Sequence, residues 1–150
     1  MVKKILITGK DSYIGIHVKE WLGKEANQYE VTELDVKTQD WLQEDFSKYD
    51  TILHVAGIAH VSTDKKLEDL YYKVNRDLAI QVANKAKKEN VKQFIFMSSM
   101  IIYGDDEHIG EKKAIDKNTA PQPKNFYGNS KLQAEEGIKK LEDENFKTVI

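Results

Sequence analysis

The sequence predicts an α/β fold: a doubly wound parallel sheet with helices on both faces. Short β-branched runs bounded by turn residues alternate with helix-periodic segments. The first such run stops at a glycine that opens a helix, and no internal repeat or cysteine framework suggests another scaffold. At 150 residues the chain is one domain's worth, long enough for a single core.

The elements follow in order. Lys4-Ile5-Leu6-Ile7-Thr8 ends at Gly9 and reads as a buried strand. From Ile14 the apolar spacing is helical, with Ile14, Val18, Trp21, Leu22 and Ala26 on one face. Tyr29 to Val36 and Asp50 to Gly57 read as strands. A long helix is predicted over about Lys65 to Glu89, turning Leu67, Leu70, Tyr71, Val74, Leu78 and Val82 inward. Gln93 to Ser99 is a strand rich in Phe and Ile, Phe126 to Glu144 is helical, and Lys147-Thr148-Val149-Ile150 begins one more strand. Two connections stand out. Residues 37–48 are too few for a strand-helix pair, so one crossover is reduced to a loop. Gly104 to Lys124 holds both prolines and many charges and is expected to be exposed and mobile.

Composition narrows the function. Twenty-three Lys+Arg against 25 Asp+Glu leave a charge of −2, which argues against a nucleic-acid binder with a broad basic field. The longest charge-free stretch, Thr51 to Thr63, is too short to span a bilayer. Met1-Val2-Lys3-Lys4 runs straight into the first strand without a secretory pattern. The absence of cysteine excludes disulfides, a thiolate zinc site and a cysteine nucleophile. The expectation is a cytoplasmic globular domain with no membrane or nucleic-acid partner and no metal.

After the first strand comes Thr8-Gly9-Lys10-Asp11-Ser12-Tyr13-Ile14-Gly15. In a strand-loop-helix setting, glycines permit a tight turn and close backbone approach to a diphosphate, and the helix N-terminus favours negative charge. Ser12 fills the middle glycine position. Asp35, at the end of the second strand and 20 residues after Gly15, can accept hydrogen bonds from ribose hydroxyls and would repel a 2′-phosphate. That favours NAD over NADP, with Lys10 the one feature pointing the other way. A tight turn beside an exposed acid is the alternative reading of these residues.

Tyr127 and Lys131 are four apart at a helix start and so share a face. A nearby ammonium stabilises phenolate, lowering a tyrosine from about 10 toward the working range. Such a tyrosine can exchange an alcohol proton while hydride moves to or from a nicotinamide. The pattern alone is common in a lysine-rich chain. Its place after a strand ending in Ser98-Ser99 sharpens it, because open α/β sheets bind ligands at strand C-termini.

The set Thr8-Gly9…Gly15, Asp35, His54-Val55-Ala56-Gly57, Asn75, Ser98-Ser99…Tyr103-Gly104 and Tyr127…Lys131 resembles the extended short-chain dehydrogenase/reductases, in the branch of NAD-dependent sugar-nucleotide epimerases and dehydratases. The resemblance implies a Rossmann-like NAD(P)-binding domain over residues 1–150, the N-terminal part of a longer enzyme whose C-terminal, substrate-gripping lobe is absent. It implies that Gly9, Ser12, Tyr13, Ile14 and Gly15 bind the cofactor diphosphate, Asp35 the ribose, and Asp45-Phe46 the adenine edge. Ala56, Gly57 and Ile58 would pass behind the cofactor, supported by Asn75. Ser99, Tyr127 and Lys131 would be catalytic, with Tyr127 the general acid/base and Tyr127 and Lys131 also touching the cofactor. Met100 and Ile101 stand where dehydratases carry an acidic pair, which speaks against dehydration. A homodimer through the Asn75 and Tyr127 helices is compatible with their apolar stripes. His54 reads as a packed strand residue and His60 as a loop histidine that could line a substrate pocket, while His17 and His108 carry no signal. The leading expectation is an epimerase of a nucleotide-linked sugar working through a 4-keto intermediate. An NAD(P)H-dependent reductase of a keto sugar or other carbonyl, and a non-catalytic dinucleotide sensor, remain open.

Overall fold

The computed structural model describes residues 1–59, 64–104 and 114–150. Five parallel strands, β1 (Lys3–Thr8), β2 (Tyr29–Leu34), β3 (Thr51–His54), β4 (Gln93–Phe96) and β5 (Lys147–Val149), form one sheet in the order β2-β1-β3-β4-β5. Thr8 pairs with His54 and His54 with Phe96, so these three residues form one row across the sheet. The chain leaves β1 toward β2 on one side and reaches β3 on the other. That reversal opens a crevice at the carboxyl ends of β1 and β3, where ligands bind in open α/β sheets.

Alternation along the strands sends Leu6, Ile52, Phe94 and Phe96 to one face, all at most 1% exposed. That face packs against α3 (Ala79–Lys88) and α4 (Phe126–Lys139), which contribute Ala79, Val82, Ala83, Ala134 and Ile138 to the same core. Each large apolar side chain buried there stabilises the fold by roughly 1.5–3 kcal/mol. On the other face α1 (Tyr13–Gly23) lies over β1 and β2, with Gly15 against Ile7. Farther along that face cover is thinner: Ile95 is half-buried and Val149 is 43% exposed.

Several expectations are corrected. α1 ends before Ala26, and its shared apolar face is only partly covered: Val18 and Leu22 are half-buried while Trp21 is 67% exposed, and Gly15 is the buried residue of the helix. The long second helix runs from Lys65 to Lys88 as a 3₁₀ turn (Lys65–Leu67), α2 (Glu68–Tyr71), a π-helical stretch (Tyr72–Leu78) and α3. The π stretch breaks the 3.6-residue period, and Tyr71 rather than the exposed Leu70 points inward. β4 ends at Phe96, three residues short of Ser99. The reduced crossover is a loop with two 3₁₀ turns, Gln39–Gln43 and Phe46–Lys48, whose Trp41 and Phe46 stack into the core.

Candidate functional site

The loop after β1 is strung between its neighbours. Gly9 and Lys10 donate their amide hydrogens to Leu34 O at the end of β2. Gly9 has φ +118°, and a Cβ there would lie 2.9 Å from Ala56 N and from Val55 Cγ2. Only glycine satisfies both the left-handed backbone and that approach. Ser12 is the N-cap of α1, its Oγ accepting from Gly15 N at 3.1 Å. The hydroxyl therefore folds back onto the helix instead of projecting from the loop, capping one of the first-turn amides that helices leave unpaired. Asp35 is exposed; its Oδ1 accepts from Lys37 N at 2.8 Å, which leaves acceptor capacity on the carboxylate.

These segments bound a cavity of about 890 Å³. Gly9–Ser12 form one wall, 35–39 and Trp41 another, and Val55–Ile58 the floor. Its size falls within the range of small-molecule and cofactor sites. The remaining wall is Lys73, Val74, Asp77, Leu78 and Gln81. The sequence reading missed this wall and Trp41, although positions 74, 77, 78 and 81 repeat at helical spacing and so share a face.

At the inner end, Asn75 is fully buried. Its Oδ1 accepts from Ile58 N at 2.9 Å, and its Nδ2 donates to Ile58 O at 3.0 Å and to Ser130 Oγ at 3.3 Å. Ser130 in turn donates to Tyr127 O. This clamp ties the segment after β3 to α4. Gly57 is pressed between them: a Cβ would come within 3.0 Å of Asn75 Oδ1 and 3.4 Å of Lys131 Nζ.

Lys131 is 5% exposed. Its Nζ donates to Met97 O at 2.9 Å and sits 4.7 Å from the centre of the Phe96 ring. Burial pushes its ammonium down to about 8, against the opposing charge of Glu135. Tyr127, one turn earlier, is half-buried with its ring edge-on to Tyr71 at 5.9 Å. Ser99 caps the 3₁₀ turn Met100–Tyr103, and the first turn of α4 rests on that turn, with Gly128 beside Ile101 O. Asn125 caps α4 through Gly128 N. Lys131 is thus anchored at the carboxyl end of β4 and lies behind Gly57 of the cavity floor, and Ser99 follows two residues after Met97, while none of Ser99, Tyr127 and Lys131 lines the cavity itself. Ser98 Oγ is buried without a hydrogen-bond partner among the described residues.

His54 is a packed strand residue. It is fully buried, its Nδ1 lies 2.7 Å from Thr8 Oγ1, and its ring stacks near Phe94 and Phe96. Burial, with the charge of Lys131, pushes it down to about 3, so it is neutral.

Two expectations fail on geometry. Phe46 is fully buried in the core and its N–H donates to the Glu89 carboxylate at 2.6 Å, while Asp45 Oδ1 caps Ser47. Neither lines the cavity, because the shortened crossover draws Phe46 into the hydrophobic core. Tyr13 and Ile14 turn their side chains to the surface, and neither they nor Gly15 line the cavity. His60 and His108 lie outside the described residues.

The residues present fit a dinucleotide: a glycine cradle that a Cβ would fill, a helix N-terminus beside it, an exposed acid at the end of β2 and a buried cation behind Gly57 of the floor. The chain is 30% identical over 151 residues to the N-acetyl-alpha-D-glucosaminyl-diphospho-ditrans,octacis-undecaprenol 4-epimerase of Escherichia coli O157:H7, covering 93% of this chain and 44% of that protein. It is 29% identical to the human UDP-glucose 4-epimerase, covering 94% of this chain and 49% of that one. It spans about half the length of these relatives. Among solved structures, it resembles MoeE5 in complex with UDP-glucose and NAD (TM-score 0.81, 18% identity, 97% of this chain and 52% of that chain). It also resembles the UDP-glucuronic acid 4-epimerase of Bacillus cereus in complex with UDP-glucuronic acid and NAD (TM-score 0.78, 23% identity, 97% and 55%). These structural likenesses establish the fold. The sequence profile of the NAD dependent epimerase/dehydratase family matches residues 5–150, and the chain belongs to that family.

Proposed function

We propose that residues 1–150 supply the NAD-binding domain of an epimerase acting on a nucleotide-linked sugar, similar to UDP-glucose 4-epimerase. The observation that carries this reading is Lys131: a buried ammonium packed behind Gly57, which lines the dinucleotide-sized cavity, and one helical turn from Tyr127.

The backbone of Gly9–Gly15 would hold the diphosphate and Asp35 the adenosine ribose, its carboxylate disfavouring a 2′-phosphate. When bound, NAD supplies a reversible hydride acceptor. Tyr127, with Lys131 one helical turn away as its electrostatic partner, would take the proton of the sugar 4-hydroxyl as C4 is oxidised to a ketone. The Ser99 hydroxyl donates a hydrogen bond to the developing carbonyl oxygen. The keto sugar turns over in the pocket, is reduced on its opposite face, and Tyr127 returns the proton to the 4-oxygen. The relatives named as 4-epimerases and the neighbours holding UDP-sugars with NAD support this reading.

The test is Tyr127→Phe in a polypeptide containing residues 1–150 that interconverts UDP-sugar epimers. Turnover is expected to fall at least about 100-fold. Normal turnover in Tyr127→Phe overturns the assignment.

A further inference from the structure

Among the described residues only two formally charged side chains are buried, Lys131 and Glu135, each 5% exposed. They lie four apart on α4, on the same helix face. Burying an isolated charge is expensive, and two buried charges of opposite sign one turn apart offset one another. The ion pair recorded for Glu135, to Lys139 at 3.3 Å, involves a lysine 59% exposed. A pair of that kind gains little, and it gives no reason for the carboxylate to be buried.

We propose that Glu135 is the buried counter-charge of Lys131, a positioning residue that keeps the ammonium charged beneath the cavity floor. The surroundings leave few competitors. Lys131 faces Tyr127 and Glu135 from its own helix, the neutral His54 from β3, the uncharged Asn75 from the π-helical stretch and Met97 O from the end of β4. α3 meets α4 through apolar contacts such as Ile80 on Gly137, and Arg76, the nearby cation of the π-helical stretch, is engaged by Asp77 and Gln133. Among the described residues Glu135 is thus the buried carboxylate, one helical turn from Lys131 and without a direct hydrogen bond to it. The charge pairing stands independently of the reaction; its catalytic consequence rests on the proposed epimerase reading.

The experiment follows the Lys131 Cε resonance of the ¹³C-lysine-labelled chain through a pH titration, assigned by its loss in Lys131→Met. The expected midpoint is about 8 in the parent chain. Glu135→Gln should move it down by about one pH unit or more, and Glu135→Asp should restore part of the shift. Lys139→Ala, which frees Glu135 from its surface partner, should move the midpoint up, and it decides the matter if Glu135→Gln does not fold. A folded Glu135→Gln chain with an unmoved midpoint, or an unmoved midpoint in Lys139→Ala, overturns the proposal, since a purely structural Glu135 would leave Lys131 untouched. In an active polypeptide the alkaline limb of kcat/KM should move down with the Lys131 midpoint. A midpoint that moves while the limb stays leaves the charge pairing intact and overturns the catalytic role given to Lys131.

Discussion

His54 and Lys131 flank the same Phe96 ring, and burial drives both toward their neutral forms. For His54 the folded value of about 3 lies below the ordinary 6.5. The unfolded chain therefore binds a proton that the folded one refuses, and stability falls as pH drops from about 6.5 toward 3, by roughly 1.4 kcal/mol per unit. Urea unfolding at pH 7 and pH 5 should show the parent chain losing about 2 kcal/mol more than His54→Gln over that interval. Equal losses would mean that the imidazole is not held neutral. Lys131 acts in a separate window, stability rising between about pH 8 and 10.5 as its folded form sheds the proton first. Identity at these sites was legible in the sequence through spacing: Tyr127 and Lys131 by their four-residue interval, Asp35 by its distance from Gly15. Environment was not. Nothing in the order of residues distinguishes the buried Lys131 from exposed lysines such as Lys139, because its burial comes from Phe96, Met97 and Gly57 on distant strands.

At the scale of elements, the π-helical stretch Tyr72–Leu78 delivers Asn75 to two partners at once. A π turn inserts an extra residue per turn, and such insertions gather at functional sites. Here the result is a side chain holding both backbone groups of Ile58 and the Ser130 hydroxyl. Asn75→Ala should cost about 2–4 kcal/mol, since it strands buried donors and acceptors. Denaturant unfolding measures the loss, and hydrogen exchange at the Ile58 amide should speed up with it. A cost below about 0.5 kcal/mol would show that the clamp is incidental. The strands were legible as short β-branched and apolar runs bounded by turn residues, and the helix that starts at Phe126 from its 3.6-residue spacing. The inward face of the long helix was misjudged at Leu70 because that reasoning assumes an unbroken 3.6 period. Asp45-Phe46 was misplaced for a related reason: the crossover is too short to align by spacing, and a phenylalanine beside a core vacancy is drawn into it.

At the scale of the whole molecule, the cavity joins every layer of the fold: the loop after β1, the end of β2, the segment after β3 and the helix packed over them. A ligand bound there touches all of these elements at once, so it should stabilise the domain as a unit. At a hundred times its dissociation constant a ligand that binds only the folded state adds about 2.7 kcal/mol. For a domain of this size that corresponds to a rise of roughly 5–10 °C in Tm. Asp35 sets the discrimination. Its exposed carboxylate stands where the adenosine ribose would lie in the proposed pose, so NADP⁺ at the same concentration should give a clearly smaller rise. Asp35→Asn, which removes the charge and keeps the shape, should lower the NAD⁺ rise and raise the NADP⁺ rise until the two converge. Differential scanning calorimetry of the 150-residue chain with each dinucleotide makes the comparison. Equal rises for both dinucleotides in the parent chain would mean that Lys10 or Lys37, which line the same cavity as Asp35, neutralise the 2′-phosphate, and the preference for NAD would be withdrawn.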